Sequence, residues 1–235
     1  MDKENEFENS LGKTLLESDL SKVSTEVLEA VLDQHSGVEG ILKDLPVIGA
    51  IIGAGKTILS VQNYLFTKKL LSFLKGLSEV DMEVRKDAVL RINSSKKYGQ
   101  SVGSKLLHII NNAHDHVSSA LIAKLFVAFI EEKLSYQEFC KASMIINRID
   151  FYDLEEFLKL PDNAYGQNGT NGIGLEELDN FLINAGLCSA ESNSVSVEDQ
   201  DDWKSSEKYV VKGGETLIYR TSIGTKIYQI LSIDN

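Results

Sequence analysis

The sequence predicts a mainly α protein, with a helical N-terminal domain over residues 1–160 and a small α+β domain over residues 175–235. Three observations carry that expectation. Apolar residues recur at helical spacing through most of the first 160 positions, only 2 of the 235 residues are proline, and a Gly-Gly pair separates two β-branched runs near the C-terminal end. A hydrophobic content of 43% is enough to bury a core and excludes a disordered chain.

The elements follow in order. Leu11, Leu15, Leu16, Leu20, Val23, Val27, Leu28, Val31 and Leu32 alternate with acidic residues as an amphipathic helix does, with a break expected near Ser21–Ser24. Gly37 and Gly40 punctuate the chain before an apolar, glycine-bearing helix over 45–66, and a second apolar and basic stretch runs on to Leu77. Ser78-x-x-Asp81 opens the next helix, and a Ser/Lys/Gly link over 94–104 follows it. Further helices are expected at 104–112, 117–132, 136–148 and 152–159. The third of these starts at Ser135-x-x-Glu138, where hydroxyl and carboxylate can each bond a free backbone N–H of the first turn.

Composition changes at 162–174, a Gly/Asn loop. Beyond it the pattern predicts a helix at 175–185, a strand at 194–198 and an acidic Ser-rich link at 199–207. Tyr209–Lys212 and Glu215–Tyr219 then form a hairpin around Gly213-Gly214, because glycine tolerates the positive φ of tight hairpin turns. A closing helix spans Ser222 to Leu231.

Charge is uneven. Residues 1–40 carry a net −7, residues 41–110 a net +6 and residues 111–235 a net −10. A basic middle around the most apolar stretch fits an anionic partner, either a membrane, a nucleic acid or an acidic protein; it equally fits the chain's own acidic ends. The acidic start, Met1-Asp2-Lys3-Glu4-Asn5-Glu6, lacks the pattern of a secretory or transit peptide, so the expected location is cytoplasmic or peripheral to the inner membrane. Cys140 and Cys188 have no partners at metal or redox spacing and read as packing residues.

The apolar segment from Leu45 to Phe66 invites two functional readings. Gly55-Lys56-Thr57 matches the end of a phosphate-binding loop, but Ala50 stands where its first glycine belongs and the surroundings read as helix. No nucleotide is therefore expected. As a membrane span, the segment balances near zero: a central lysine costs ~2.5–3.5 kcal/mol, and ten Leu/Ile/Val/Phe residues return about 3–6 kcal/mol. Three alternatives stay open, namely a core helix, a surface-lying or conditionally inserting helix, and a permanent span. Helical projection places Gly49, Gly53, Lys56, Thr57, Ser60, Asn63 and Thr67 on one small and polar stripe. Gly49, Gly53, Lys56, Lys68, Lys69 and Lys75 are thereby the candidate membrane or partner contacts, with Arg85 and Lys86 extending the basic run.

Other motifs carry less. His114-Asp115-His116 has two histidines pointing about 200° apart on a helix, so a helix junction capped by Asp115 or Ser118 is expected rather than a metal site. The Gly/Asn loop before Glu176-Glu177 lacks the early carboxylates of a calcium loop. No nucleophile pattern is present in the sequence. Neither catalytic residues nor a cofactor nor a metal is expected.

Leu175-x-x-Leu178, Leu182, Gly186-Leu187 and later Tyr219-Arg-Thr221-Ser-Ile-Gly224 resemble the end of a winged-helix domain, where a helix leads into wing strands and an aromatic-x-T-x-x-G sequence opens a closing helix. The resemblance implies the fold, and DNA binding with it. Glu176, Glu177 and Asp179, however, stand where a DNA reader presents Arg, Lys, Asn or Gln. The chain also resembles a group of uncharacterised bacterial proteins in its Leu45-Pro-Val-Ile-Gly entry, Leu65-Phe66-Thr-Lys68-Lys69-Leu70 exit and Ala123-Lys124-Leu125-Phe126 helix. The expected function is a non-enzymatic binding or regulatory module acting on a protein partner or by self-association. The competing expectations are an effector of the stress or phage-defence type that associates with anionic membranes through helix 45–66, and a DNA-binding regulator.

Overall fold

The computed structural model describes residues 3–32, 42, 44–53, 61–94, 102–165, 170–172, 177–199 and 209–232. It is mainly helical with a strand region near the C-terminal end, as the periodicity predicts. The chain divides into two compact units, 1–147 and 148–235. The division falls before the helix at 151–159, which the sequence-based boundary at 160 assigns to the first domain.

In the first unit the described helices are α1 (Lys3–Glu17), α2 (Thr25–Leu32), α3 (Pro46–Gly53), α4 (Val61–Gly76), α5 (Met82–Ser94), α6 (Val102–Asn111), α7 (His116–Ile130) and α8 (Tyr136–Ile146). The expected break in the first helix is real: a 3-10 turn over Leu20–Lys22 separates α1 from α2, with Asp19 capping it through the Ser21 N–H. Helix α1 packs on α3, α5 and α6, while α4 packs most extensively on α7. Between α4, α7 and α8 the core is aromatic. Phe126 stands 5.8 Å from Phe73 and 5.2 Å from Phe139 between ring centroids, an edge-on or tilted geometry that suits the ring quadrupoles.

Local signals set the helix starts. Ser135 and Glu138 form the reciprocal cap expected of them, and Asp115 caps α7 by accepting from the Ser118 N–H at 2.8 Å. At α5 the cap differs from the expected one. Asp81 accepts from the Glu83 and Val84 N–H groups, and Ser78 instead donates back to the Lys75 carbonyl. Helix α7 ends on Glu132 with φ 63°; the N–H groups of Glu132 and Lys133 return to the Phe129 and Ala128 carbonyls, the two-bond closure usually built on glycine.

The second unit contains α9 (Phe151–Lys159), β1 (Thr170–Gly172), α10 (Glu177–Ala185), β2 (Cys188–Ser192), β3 (Ser196–Asp199), β4 (Tyr209–Lys212), β5 (Thr216–Arg220) and α11 (Ser222–Leu231). Its sheets have orders β1-β5-β2 and β3-β4, all antiparallel. The expected hairpin across Gly213-Gly214 does not form. β4 pairs with β3 and β5 pairs with β2, and the register runs without a slip from Cys188↔Arg220 to Asp199↔Tyr209. The two ladders are therefore one long ribbon with arms 188–199 and 209–220. Gly213 and Gly214, at φ 87° and 82°, lie inside an arm, where a Cβ on Gly213 would stand 2.1 Å from the Ser194 carbonyl oxygen. The pair is a close-approach joint between two backbones rather than a turn.

Candidate functional site

The segment expected as one helix over 45–66 is described as α3 and the start of α4; residues 54–60, and with them Lys56 and the Gly55-Lys56-Thr57 motif, lie outside the described residues. A helix precedes that motif, where a phosphate loop has a buried strand. Pro46 opens α3 at a position where no N–H is needed, and the Val47 N–H is taken by Thr14 Oγ1 of α1 at 3.1 Å. Val47, Ile48 and Ile51 are buried, so α3 spends its apolar side chains on the core. Among the described residues no helix is long and apolar enough to cross a membrane.

Of the six candidate contact residues, Gly49 is half-buried within α3 and Gly53 ends it. Lys68 is half-buried and lies 5.0 Å from the Tyr64 ring centroid. Lys69 turns inward, donating to the Asn111 carbonyl at the end of α6 at 3.0 Å; burial lowers its pKa, and Asp115 opposes that shift. Lys75 is half-buried in the last turn of α4. Arg85, counted with the basic run, is 1% exposed. Its Nε and Nη2 donate to the Leu15 and Ser18 carbonyls, each at 2.7 Å, closing the C-terminal end of α1 from another helix. Lys69 and Arg85 are thus engaged by backbone carbonyls, while Lys68 and Lys75 stand seven positions apart on α4. Close helix approaches made by glycine are visible at Gly103, where a Cβ would meet the Glu8 carbonyl oxygen at 2.2 Å, and at Gly76 of α4, where it would stand 2.5 Å from the Ala123 Cβ of α7.

His114, Asp115 and His116 sit at the α6–α7 junction with Asp115 as a cap. Among the described residues no group of three or more His, Cys, Asp or Glu side chains is placed to hold a metal ion.

In the second unit the aromatic-x-T-x-x-G motif has a clear local role. Thr221 Oγ1 accepts from the Gly224 N–H at 2.9 Å and donates to the Gly186 carbonyl at 2.8 Å, so one hydroxyl starts α11 and ties it to the turn after α10. A Cβ on Gly224 would stand 2.0 Å from the Leu187 carbonyl oxygen, which explains glycine there. Arg220, between the two motif residues, was missed as a key group in the sequence. Its guanidinium lies 3.7 Å from the Tyr228 ring centroid and donates to Asp162 and to the Pro161 carbonyl, with a side chain 5% exposed. The only signal was a lone arginine beside aromatic residues.

The outward surface of this unit is unlike its interior. Val195, Val197 and Val211 are 62%, 61% and 65% exposed on the ribbon, and Val197 and Val211 face one another across it. Helix α10 contains no lysine or arginine and exposes Glu177, Asn180, Phe181 and Asn184. Residues 148–235 hold 7 basic and 16 acidic groups, a net −9. Compared with protein-family models, curated proteins and solved structures, the chain matches none.

Proposed function

We propose that the protein is a non-enzymatic binding or regulatory module working through protein–protein contacts, with a winged-helix-like C-terminal unit as its contact surface. The observation that carries this reading is the valine-bearing ribbon of an acidic unit: three β-branched side chains more than 60% exposed, two of them directly paired. Apolar side chains at such exposure gain from a dry partner. The order α10, β2, ribbon, β5, with the sheet order β1-β5-β2, supports the winged-helix-like assignment. A net −9 and an α10 without cations favour a protein over duplex DNA, whose phosphates this surface repels.

Two measurements on the full chain test the proposal. In an electrophoretic shift assay across salt concentrations, no duplex binding that weakens steeply with salt is expected. In flotation with neutral and anionic liposomes, the protein is expected to stay in the soluble fraction. Tight salt-sensitive duplex binding returns the DNA-regulator reading; flotation on anionic vesicles that is lost in Ile51→Asp returns the membrane-effector reading.

A further inference from the structure

The two faces of the ribbon are unequal. Alternation from the paired positions places Cys188, Ile218, Ser196, Glu198 and Lys212 on one face. At its base that face is closed, with Cys188 and Ile218 each 3% exposed and the ladder packed on α10 and α11. Towards the tip its charges meet each other, Lys212 pairing with Glu198 at 2.5 Å. The opposite face carries Glu191, Val195 and Val197 on one arm, with Val211, Glu215 and Leu217 on the other. Leu217 is half-buried and the other five are exposed. Among the described residues this face holds no lysine or arginine, and neither glutamate has an ion-pair partner. The two kinds of side chain are segregated along it, the valines in the half towards β3 and β4 and the glutamates in the half towards β2 and β5.

We infer that this face takes an amphipathic helix of a protein partner, with apolar residues at one end of its docking stripe and lysine or arginine at the other. Two glutamates without a neighbouring cation select a basic partner in one half, and three exposed valines select apolar side chains in the other. A helix suits the face better than an extended segment does, because its backbone N–H and C=O groups are already paired within it. An extended chain laid flat on valine would leave its own unsatisfied. The dimensions agree. Glu191 and Val197 stand six positions apart on their arm, about 20 Å at the strand rise of ~3.3 Å, which a helix covers in about 13 residues. Positions i, i+4, i+7 and i+11 of such a helix share one stripe, so two apolar residues followed by two cations at that spacing lie over valine and then over glutamate. A second copy of this chain offers no cation from this face, and the glutamates therefore count against self-association through it.

This inference rests on the protein-binding reading and names the face used and the chemistry of the partner. The probe is a stapled, alanine-based helical peptide of sixteen residues with leucine at its third and seventh positions and lysine at its tenth and fourteenth. It is titrated to millimolar concentration into the isotopically labelled full chain and followed by amide chemical shifts. One control peptide has glutamate for lysine, and a second has both lysines moved to the opposite side of the helix. Shifts centred on 191–197 and 211–217 are expected, with an affinity at least fivefold above either control that falls with added salt. Val197→Thr/Val211→Thr keeps β-branched side chains while removing apolar surface, and is expected to lower the affinity at least fivefold. Glu191→Gln/Glu215→Gln is expected to lower it at least threefold and to remove most of the salt dependence. All four positions are exposed, so both variants are expected to keep the wild-type circular dichroism and melting temperature. No shifts at millimolar peptide, equal affinity for the three peptides, shifts centred elsewhere, or an affinity indifferent to either double substitution overturns the inference. A concentration-dependent dimer lost in Val197→Thr/Val211→Thr makes a second copy the occupant and overturns it as well. The broader protein-binding reading fails separately, on salt-sensitive duplex binding or on flotation, so the two failures are told apart.

Discussion

Replacing Arg85 tests how far a buried cation holds the helical unit together. Its side chain is among the largest that are fully buried, and its two 2.7 Å bonds close the Leu15 and Ser18 carbonyls, which α1 leaves open at its C-terminal end. Burial lowers the guanidinium pKa, and the Asp19 and Asp81 carboxylates work against that shift. Hydrogen bonds from a charged donor contribute ~1.5–3 kcal/mol each, so two lost bonds give about 3–6 kcal/mol before relaxation. Water reaching the site recovers part of it, and Arg85→Ala is expected to destabilise by about 3–5 kcal/mol. Arg85→Met keeps most of the volume and removes the cost of burying a charge. It still strands two carbonyls, so a smaller loss of roughly 1–3 kcal/mol is expected. Guanidinium unfolding followed by far-ultraviolet circular dichroism reads both. Arg85→Ala within 1 kcal/mol of wild type, or Arg85→Met more stable than wild type, would show that desolvation outweighs the two bonds and would refute the reasoning.

Three further outcomes are expected. Gly224→Ala drives a Cβ toward the Leu187 carbonyl oxygen, 2.0 Å away, and should cost more than about 2 kcal/mol, read by far-ultraviolet circular dichroism during unfolding; a loss under 0.5 kcal/mol would contradict the packing. Glu132→Gly relieves the positive φ at the end of α7 and should raise stability by about 0.5–1 kcal/mol net, since the Arg91–Glu132 ion pair it removes is exposed; a lower melting temperature would count against the strain. Burial pushes the Cys188 thiol up to about 12, Arg220 partly opposing and Asp179 adding to the shift. At pH 8 its labelling by a disulfide reagent should be on the order of a thousandfold slower in the native chain than in urea, and rates within tenfold of one another would refute that.

Much of the helical architecture was legible because it is written in short-range terms. A helix start needs one acceptor within three residues of a free N–H, and Ser135 with Glu138, Asp115 with Ser118, and Thr221 with Gly224 each satisfy that requirement along the chain. The break between α1 and α2 belongs to the same class, since Asp19 and Ser21 resolve it locally.

What the sequence by itself determined is therefore the succession of helices, their caps and the mixed character of the C-terminal unit. The tertiary structure decided pairing and the use of charge. Gly213-Gly214 satisfies every local condition for a hairpin turn, and only the competing partner strands Cys188–Ser192 and Ser196–Asp199 turn it into a joint within a longer ribbon. Charge counting makes residues 41–110 basic, at net +6, but does not say what each cation meets. Lys69 meets the Asn111 carbonyl and Arg85 meets those of Leu15 and Ser18, partners 42 to 70 positions away that no local pattern announces. Backbone hydrogen bonds within a helix reach four residues, whereas strand pairing and buried cations answer to whatever the fold brings beside them.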